Sequence, residues 1–171
     1  MEGILSMRIS KNTLSLAGEY AVASELCKRG LYAQLTIGNY KSTDIVIFDE
    51  NHEKYVRVEV KSQQSGTWGN VKGIKGNNII LICVDFSGKT ETERPDFYIL
   101  TDNDWIEFVT SKYSKELSLD DGEKRKLIID DNYVPCWINQ KSGNSFFKGI
   151  DFRPNEIIQY KEAWEKIFAL F

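Results

Sequence analysis

Histidine is nearly absent from this chain of 171 residues, since His52 is the only one. It lies in the polar stretch 49–54, whose composition indicates an exposed turn. A Ser-His-Asp triad, a zinc site with several histidines and any site with a histidine base would all have to use this one residue. Hydrolytic chemistry, if the chain performs any, is therefore expected to rest on carboxylates and a hard cation.

Cysteine and long apolar runs are also scarce. The three cysteines at positions 27, 83 and 136 are odd in number and far apart, which argues against a disulfide framework or a zinc knuckle and suits a reducing cytoplasm. No run approaches about 18 apolar residues, and the first eight residues are too polar for a secretory signal. We therefore expect a cytoplasmic protein that does not enter a membrane, with a single domain over 1–171.

Charge is unevenly distributed along the chain. The net charge is −3, but the segment 85–131 has thirteen acids and seven bases, so it carries −6 and the remainder carries +3. Residues 60–84 and 134–150 contain no acid at all. These two basic segments could share one face suited to a phosphate backbone, although ordinary solvated lysines explain the charge pattern equally well.

Hydrophobic periodicity predicts helices and strands in a mixed α/β order. A first helix is expected from Asn12 or Thr13 to about Arg29, ended by Gly30. The further predictions are strands at 31–37, 44–48, 55–61, 79–84 and 96–100, a loop or hairpin at 62–78, a short helix from Asp102 or Asn103 to Val109, a surface helix and loop at 111–132, and a last helix at 154–171. This order suggests helices around one sheet, with the core at about 13–110 and a C-terminal extension that carries the last helix.

The stretches Thr43–Phe48 and Val58–Ser62 carry the candidate chemistry. Glu59 and Lys61 are two residues apart on a strand, so their side chains leave the same face about 7 Å apart. Asp44 begins the neighbouring strand, and the fourteen residues before Glu59 suffice for an antiparallel hairpin that brings the two acids together. Such a pair repels unless a divalent cation such as Mg²⁺ is bound. Lys61 could stabilise charge on a phosphate, or orient and help deprotonate the attacking water.

The first helix supplies a fourth candidate, Glu19. Its neighbours Leu16, Val22, Ala23 and Leu26 are apolar, which places it on the predicted buried face, where a carboxylate needs a partner such as a metal or Lys61. Glu25 serves as the comparison, because Lys28 and Arg29 follow it at the spacing of exposed helical ion pairs. The bland alternative is an amphipathic strand with Glu59 and Lys61 in solvent and Asp44 in a cap or turn.

The series Asp44, fourteen residues, Glu59, one residue, Lys61 resembles the signature of the PD-(D/E)XK nuclease superfamily. The helix with Gly18-Glu19-Tyr20-Ala21 resembles that superfamily's first motif, and the resemblance covers about residues 13–84. It implies a restriction-endonuclease-like three-layer sandwich, in which α-helices flank a central mixed β-sheet.

The resemblance also implies roles for individual residues. Asp44 and Glu59 would bind Mg²⁺, for which Mn²⁺ would substitute, with the Val60 carbonyl as a further ligand. Lys61 would be catalytic, and Glu19 would complete the metal site. Gln63, two residues beyond Lys61, is a further candidate site residue. The sequence departs from the signature at Thr43, which stands where the superfamily's loosely kept proline would be.

The segment 62–78 follows the catalytic strand directly and is the candidate substrate contact. Lys72 and Lys75 would contact phosphates, and Trp68 would stack on a base or wedge between bases. An equally weighted alternative is a mobile hairpin with a packed tryptophan.

These patterns lead to a first hypothesis of a Mg²⁺-dependent endonuclease that hydrolyses phosphodiester bonds in duplex or branched DNA. The second hypothesis is a catalytically silent nucleic-acid-binding or assembly domain with the same fold. The third is a structural or interaction protein, dimeric through the helix that ends at Phe171. Homodimerisation is also left open for the nuclease.

Overall fold

The protein is described here from a computed structural model that covers residues 9–37, 43–51, 53–118, 125–139, 142 and 145–171. The helices are α1 Lys11–Lys28, α2 Asp102–Lys112, α3 Ser114–Ser118 and α4 Glu165–Phe168, with a 3-10 helix at Pro154–Tyr160. The strands are β1 Tyr32–Leu35, β2 Ile45–Phe48, β3 Tyr55–Gln63, β4 Trp68–Val71, β5 Ile79–Asp85, β6 Asp96–Leu100, β7 Arg125–Ile129, β8 Pro135–Asn139, β9 Ser145–Lys148 and β10 Ile150–Phe152. His52 lies outside the described residues.

A mixed five-stranded sheet in the order β1-β2-β3-β5-β6 forms the centre of the fold. Strands β3 and β5 run parallel, whereas the other neighbouring pairs in this sheet are antiparallel. All seven residues of β5 are buried, as its continuous apolar composition predicts for a strand covered on both faces. Strand β3, which carries Glu59 and Lys61, therefore lies in the middle of the sheet between β2 and β5.

Two hydrophobic clusters cover the opposite faces of this sheet. On one face, Ile80 and Ile82 of β5 pack in a cluster with Leu26 of α1 and with Ile167 of α4. On the other face, the alternate β5 residues pack in a cluster that contains Trp105 of α2 and aromatic residues of β4 and β10. Side chains alternate between the faces of a strand, so β5 contributes to both clusters. The mixed α/β class predicted from the sequence is confirmed.

Helix α1 begins and ends close to the predicted positions but presents a different face to the sheet. Ser10, rather than Asn12 or Thr13, is its N-cap and accepts a hydrogen bond from the Thr13 N–H at 3.2 Å. The buried residues include Leu14, Gly18, Val22 and Leu26, four apart along the helix and hence on one stripe. Leu16, expected on the apolar face, is 48% exposed.

Two strand pairings in the structure were not predicted from the sequence. The charged segment predicted as a surface helix and loop contains strand β7, which pairs with β8. The predicted hairpin after β3 contributes β4, whose partner is the distant strand β10. Strands β4 and β10 lie far apart in the sequence, and β7 and β8 lack a clear alternation of apolar and polar residues. Local periodicity therefore reveals neither pairing.

The predicted continuous helix at 154–171 is wrong. The chain instead forms the 3-10 helix, then an extended stretch, then the short α4. Glu162 has a positive φ of 56°, and its N–H donates to the Phe97 carbonyl at 2.8 Å, so the chain adds to the edge of β6 here. The apolar residues Ile157, Trp164 and Ile167 are nevertheless buried, whereas Phe168 is 46% exposed.

Within the described residues, no helix combines the length and apolar character that crossing a membrane requires.

Candidate active site

The hairpin of β2 and β3 brings Asp44 beside Glu59. Ile45 pairs with Val58 in the antiparallel register, and the Asp44 N–H donates to the Val58 carbonyl at 2.8 Å. Asp44 directly precedes β2 and is hydrogen-bonded to the residue of β3 that precedes Glu59. Its carboxylate is also anchored, because Oδ2 accepts a hydrogen bond from the Val60 N–H at 2.6 Å.

Glu59 is buried in spite of its charge, with 7% of its surface exposed. Its Oε1 forms an ion pair with the Lys61 ammonium at 2.8 Å. Its Oε2 is buried and has no hydrogen-bond partner among the described residues. The alternative interpretation of the sequence, an amphipathic strand with Glu59 in solvent, does not agree with this burial. A buried carboxylate oxygen without a partner carries a desolvation cost that a bound cation would offset.

Lys61 is a cation held among acids. Burial lowers the pKa of the Lys61 ammonium, but the Glu59 and Asp44 carboxylates raise it, and the net result is a pKa above its ordinary value. Lys61 is therefore charged at neutral pH. This charge state suits stabilisation of a phosphate better than removal of a proton from water.

Glu19 reaches the same site from α1. Burial and the Asp44 carboxylate raise the pKa of Glu19, against a hydrogen bond from Ser15 and the charge of Lys61, which lower it. The Ser15 hydroxyl donates to Glu19 Oε1 at 3.4 Å. The charges of Asp44 and Lys61 thus act on the ionisation of Glu19.

The glycine that precedes Glu19 sets the distance between α1 and β3. A Cβ atom at Gly18 would lie 1.8 Å from Ser62 Oγ and 3.1 Å from Ser62 Cβ, so any side chain at this position would force Ser62 to shift. Gly18 thus allows the close approach of α1 to β3. No role for Gly18 could be predicted from the sequence.

The residues present fit a divalent cation held by few protein ligands. In the described part of the chain, no three histidine, cysteine or acidic side chains gather into a metal-binding group. Mg²⁺ typically takes one or two carboxylates, keeps several waters and binds substrate phosphate. Asp44 and Glu59, with the unpartnered Glu59 Oε2, match that preference, and a direct ligand set of these two acids does not require Glu19.

Gln63, predicted as a site residue, lies on β3 and is 3% exposed. Its amide nitrogen donates to Asp85, and its amide oxygen accepts hydrogen bonds from the backbone of the following turn, including the Ser65 N–H at 2.7 Å. These contacts hold the turn after β3 to the end of β5.

The predicted substrate contacts in 62–78 fall into two groups. Trp68 is 2% exposed, and its Nε1 donates to the Lys61 carbonyl at 2.9 Å. The structure thus supports the alternative of a packed tryptophan. The buried ring of Trp68 is not placed to stack on a base, as the sequence had suggested. Lys72 is exposed. Lys75 is exposed as well, but it donates to the Asp131 carbonyl and lies 4.8 Å above the Tyr133 ring centroid.

Comparison with known proteins gives a likeness in fold. No protein-family model and no curated protein sequence matches the chain. Among solved structures, the fold is similar to that of a bacterial homing endonuclease, I-Ssp6803I, with a TM-score of 0.50 and 16% sequence identity. The match covers 94% of this chain and 95% of the endonuclease. The chain therefore shares the fold of a nuclease over nearly its whole length.

Proposed function

We propose that the protein is a Mg²⁺-dependent endodeoxyribonuclease of the PD-(D/E)XK superfamily, with the restriction-endonuclease-like sandwich and with DNA as its substrate. One observation carries the proposal. Asp44 is hydrogen-bonded to the backbone of Val58 and Val60, on either side of Glu59, and Glu59 is buried with one oxygen unpartnered among the described residues.

The energetics of this pair favour a binding site over a structural role. A structural buried ion pair is expected to satisfy the remaining oxygen of its carboxylate, because an unpaired buried acceptor costs about 1–3 kcal/mol. Glu25 shows the structural solution in the same protein, since its carboxylate pairs with Lys28, Arg29 and Arg94. Glu59 has a single cation, Lys61, and Asp44 is held at the backbone on either side of it. A buried carboxylate with one oxygen lacking a hydrogen-bond partner is typical of functional sites.

The residues divide the chemistry of phosphodiester hydrolysis among them. When bound, Mg²⁺ would supply positive charge to the phosphate and increase the acidity of the attacking water. Asp44 and Glu59 would hold the ion, with the Val60 carbonyl as a further candidate ligand. The Val60 N–H keeps the Asp44 carboxylate oriented. Lys61, held as a cation by Glu59, would stabilise the negative charge that develops on the phosphoryl oxygens. Glu19 would orient water at the edge of the site.

The substrate class follows from two considerations. The solved structure of similar fold is a homing endonuclease, and DNA comes to this chain as a proposal from that likeness. The exposed Lys72 follows the catalytic strand within a segment without acids, so it is the better placed of the two predicted lysines for a phosphate contact.

A catalytically silent nucleic-acid-binding domain is the second candidate. The observation that favours it is the Lys61–Glu59 ion pair, which occupies one carboxylate oxygen, together with the lack of a three-ligand group in the described part of the chain. Mg²⁺ binding with only two protein carboxylates does not require a third ligand, and we therefore favour the enzyme.

Cleavage of supercoiled and branched DNA in Mg²⁺ tests the proposal. We expect Asp44→Ala and Lys61→Ala to reduce the cleavage rate by at least about 100-fold. The matched controls Asp131→Ala and Lys11→Ala, at exposed positions, should cleave like the wild type. Unchanged cleavage in both site variants would refute the assignment. Wild-type protein that binds DNA without cutting it would support the silent domain.

A further inference from the structure

A cavity of about 640 Å³ lies beside the proposed active site. It is lined by Thr36, Thr43, Val46, Phe48, Tyr55, Arg57 and Asn78. Val46 pairs with Arg57 in the register of β2 and β3, and Glu59 follows Arg57 by two residues on β3. Residues two apart share a face of a strand about 7 Å apart. Arg57 of the cavity lining and Glu59 therefore lie on the same face of β3, and Thr43 of the lining directly precedes Asp44.

The lining combines aromatic rings with groups that donate hydrogen bonds. Phe48 and Tyr55 are cross-strand partners, and Tyr55 is 52% exposed. Arg57 is half-buried and donates from Nη2 to Asn78 Oδ1 at 3.2 Å. No carboxylate in the described part of the chain pairs with Arg57. Aromatic rings beside a guanidinium are typical of surfaces that bind nucleotides.

Thr43 provides an independent sign that the cavity is a binding site. It is 3% exposed, and its hydroxyl is buried without a hydrogen-bond partner among the described residues. Thr36, by contrast, donates to the Thr43 carbonyl at 2.8 Å. A buried hydroxyl without a partner at the wall of a cavity is a group available to a ligand, because leaving it unpaired costs free energy.

We propose that this cavity binds one unstacked nucleobase of the strand whose phosphate lies at Asp44 and Glu59. The proposal rests on the proposed function and assigns a substrate-binding subsite to it. The rings of Phe48 and Tyr55 would pack against the base, and Arg57 with Asn78 would hydrogen-bond its edge. The volume falls within the range of about 300–1,000 Å³ for small-ligand pockets. Contact with phosphates alone would explain Arg57 but not the two aromatic rings.

Equilibrium binding of short single-stranded oligodeoxynucleotides tests this subsite. One oligonucleotide is intact and the other has the same backbone with abasic residues, and Ca²⁺ replaces Mg²⁺ to prevent cleavage. We expect the wild type to bind the intact strand about tenfold more tightly. Tyr55→Leu and Arg57→Gln should each reduce this preference to less than about threefold. Phe168→Leu and Arg153→Gln, at exposed positions elsewhere, should retain it.

The possible failures are distinguishable. Equal affinity of the wild type for both oligonucleotides, or an undiminished preference in both cavity variants, would overturn the subsite. If cleavage of supercoiled DNA in Mg²⁺ persists in that case, the proposed nuclease function stands. A wild-type protein that neither binds nor cleaves any DNA would refute the nuclease proposal, and the subsite with it. Two separate cavity variants ensure that loss of folding in one leaves the other informative.

Discussion

The Asp44 carboxylate is hydrogen-bonded to the backbone of β3, the strand that carries Glu59 and Lys61, since its Oδ2 accepts a hydrogen bond from the Val60 N–H at 2.6 Å. Val60 lies between Glu59 and Lys61, so this bond fixes the aspartate relative to both. The second oxygen of Asp44 and the unpartnered Oε2 of Glu59 are then the groups available to a cation. A site built on two adjacent strands gains precision from the rigidity of the sheet.

Gly18→Ala should destabilise the protein, because its new methyl group would lie 1.8 Å from Ser62 Oγ. We expect a loss of about 1–3 kcal/mol in the free energy of unfolding, measured by urea denaturation. Ser62→Ala in the same chain should restore part of the loss, in a double-mutant cycle with clear non-additivity. Ser24→Ala, at an exposed position of α1, is the control. Full stability of Gly18→Ala would show that α1 need not approach β3 so closely.

Glu25 should make folding sensitive to acid. Arg94, helped by Arg29 and Lys28, outweighs burial and lowers the pKa of Glu25 from the ordinary 4.5 to about 2. Because the folded-state pKa is the lower one, this stabilisation is complete above about pH 4.5 and is lost as the pH falls through about 2.

The variant Glu25→Gln tests this linkage. It should lower the free energy of unfolding at pH 7 by about 1.5–3 kcal/mol, with a gap to the wild type that narrows as the pH falls. Urea denaturation over a series of pH values measures the gap, and Glu107→Gln, exposed on α2, should show none. An identical acid dependence in wild type and Glu25→Gln would contradict the assignment.

Glu19 should have the opposite effect on stability. Its pKa is raised, first by burial and then by Asp44, so ionisation is less favourable in the folded state than in the unfolded chain. This costs stability once the pH rises above the ordinary pKa of 4.5. Without metal, Glu19→Gln should therefore be more stable than the wild type at pH 7 and equally stable near pH 3. A variant less stable than the wild type at pH 7 would show that the charge of Glu19 is structurally required.

Trp68→Phe should affect stability and leave nucleic-acid affinity unchanged. The substitution removes the indole donor to the Lys61 and Val84 carbonyls, at 2.9 and 3.3 Å, and should cost about 1–3 kcal/mol in thermal or urea unfolding. Lys72→Ala should instead weaken DNA binding and reduce the salt slope by about one. If Trp68→Phe folds but binds DNA more weakly, with an unchanged dependence of affinity on salt concentration, the stacking role suggested by the sequence would be supported.

The central hairpin could be predicted from the sequence because its signals are local. Alternation along Tyr55–Lys61 identified β3, and the fourteen-residue spacing from Asp44 to Glu59 allowed the antiparallel pairing that the structure has. The acidic end of β2 and the buried β5 followed from composition in the same way.

The more distant parts of the fold depend on contacts that periodicity does not encode. Glu25 has the pattern of an exposed helical ion pair with Lys28 and Arg29, yet it is 6% exposed because Arg94, from a loop far along the chain, covers it. Likewise, the apolar spacing at the C-terminal end suggested one helix, but pairing with the edge of β6 interrupts it at Glu162.

The site itself was only partly visible in the sequence. The motif named Asp44, Glu59, Lys61 and Glu19, but the burial of Glu59 and its unpartnered oxygen depend on neighbouring strands. For Trp68, the glycine-rich surroundings suggested a surface loop, but packing against Tyr98 and Phe152 buries its side chain.

The most direct measurement is the anomalous difference density of crystals soaked in Mn²⁺. We predict a peak between Asp44 and Glu59, at about 2.1 Å from an oxygen of each carboxylate. Crystals of Asp44→Ala soaked in the same way should lack the peak. Wild-type crystals without density between these two acids, at a Mn²⁺ concentration that supports cleavage, would contradict the claim that the pair holds the catalytic cation.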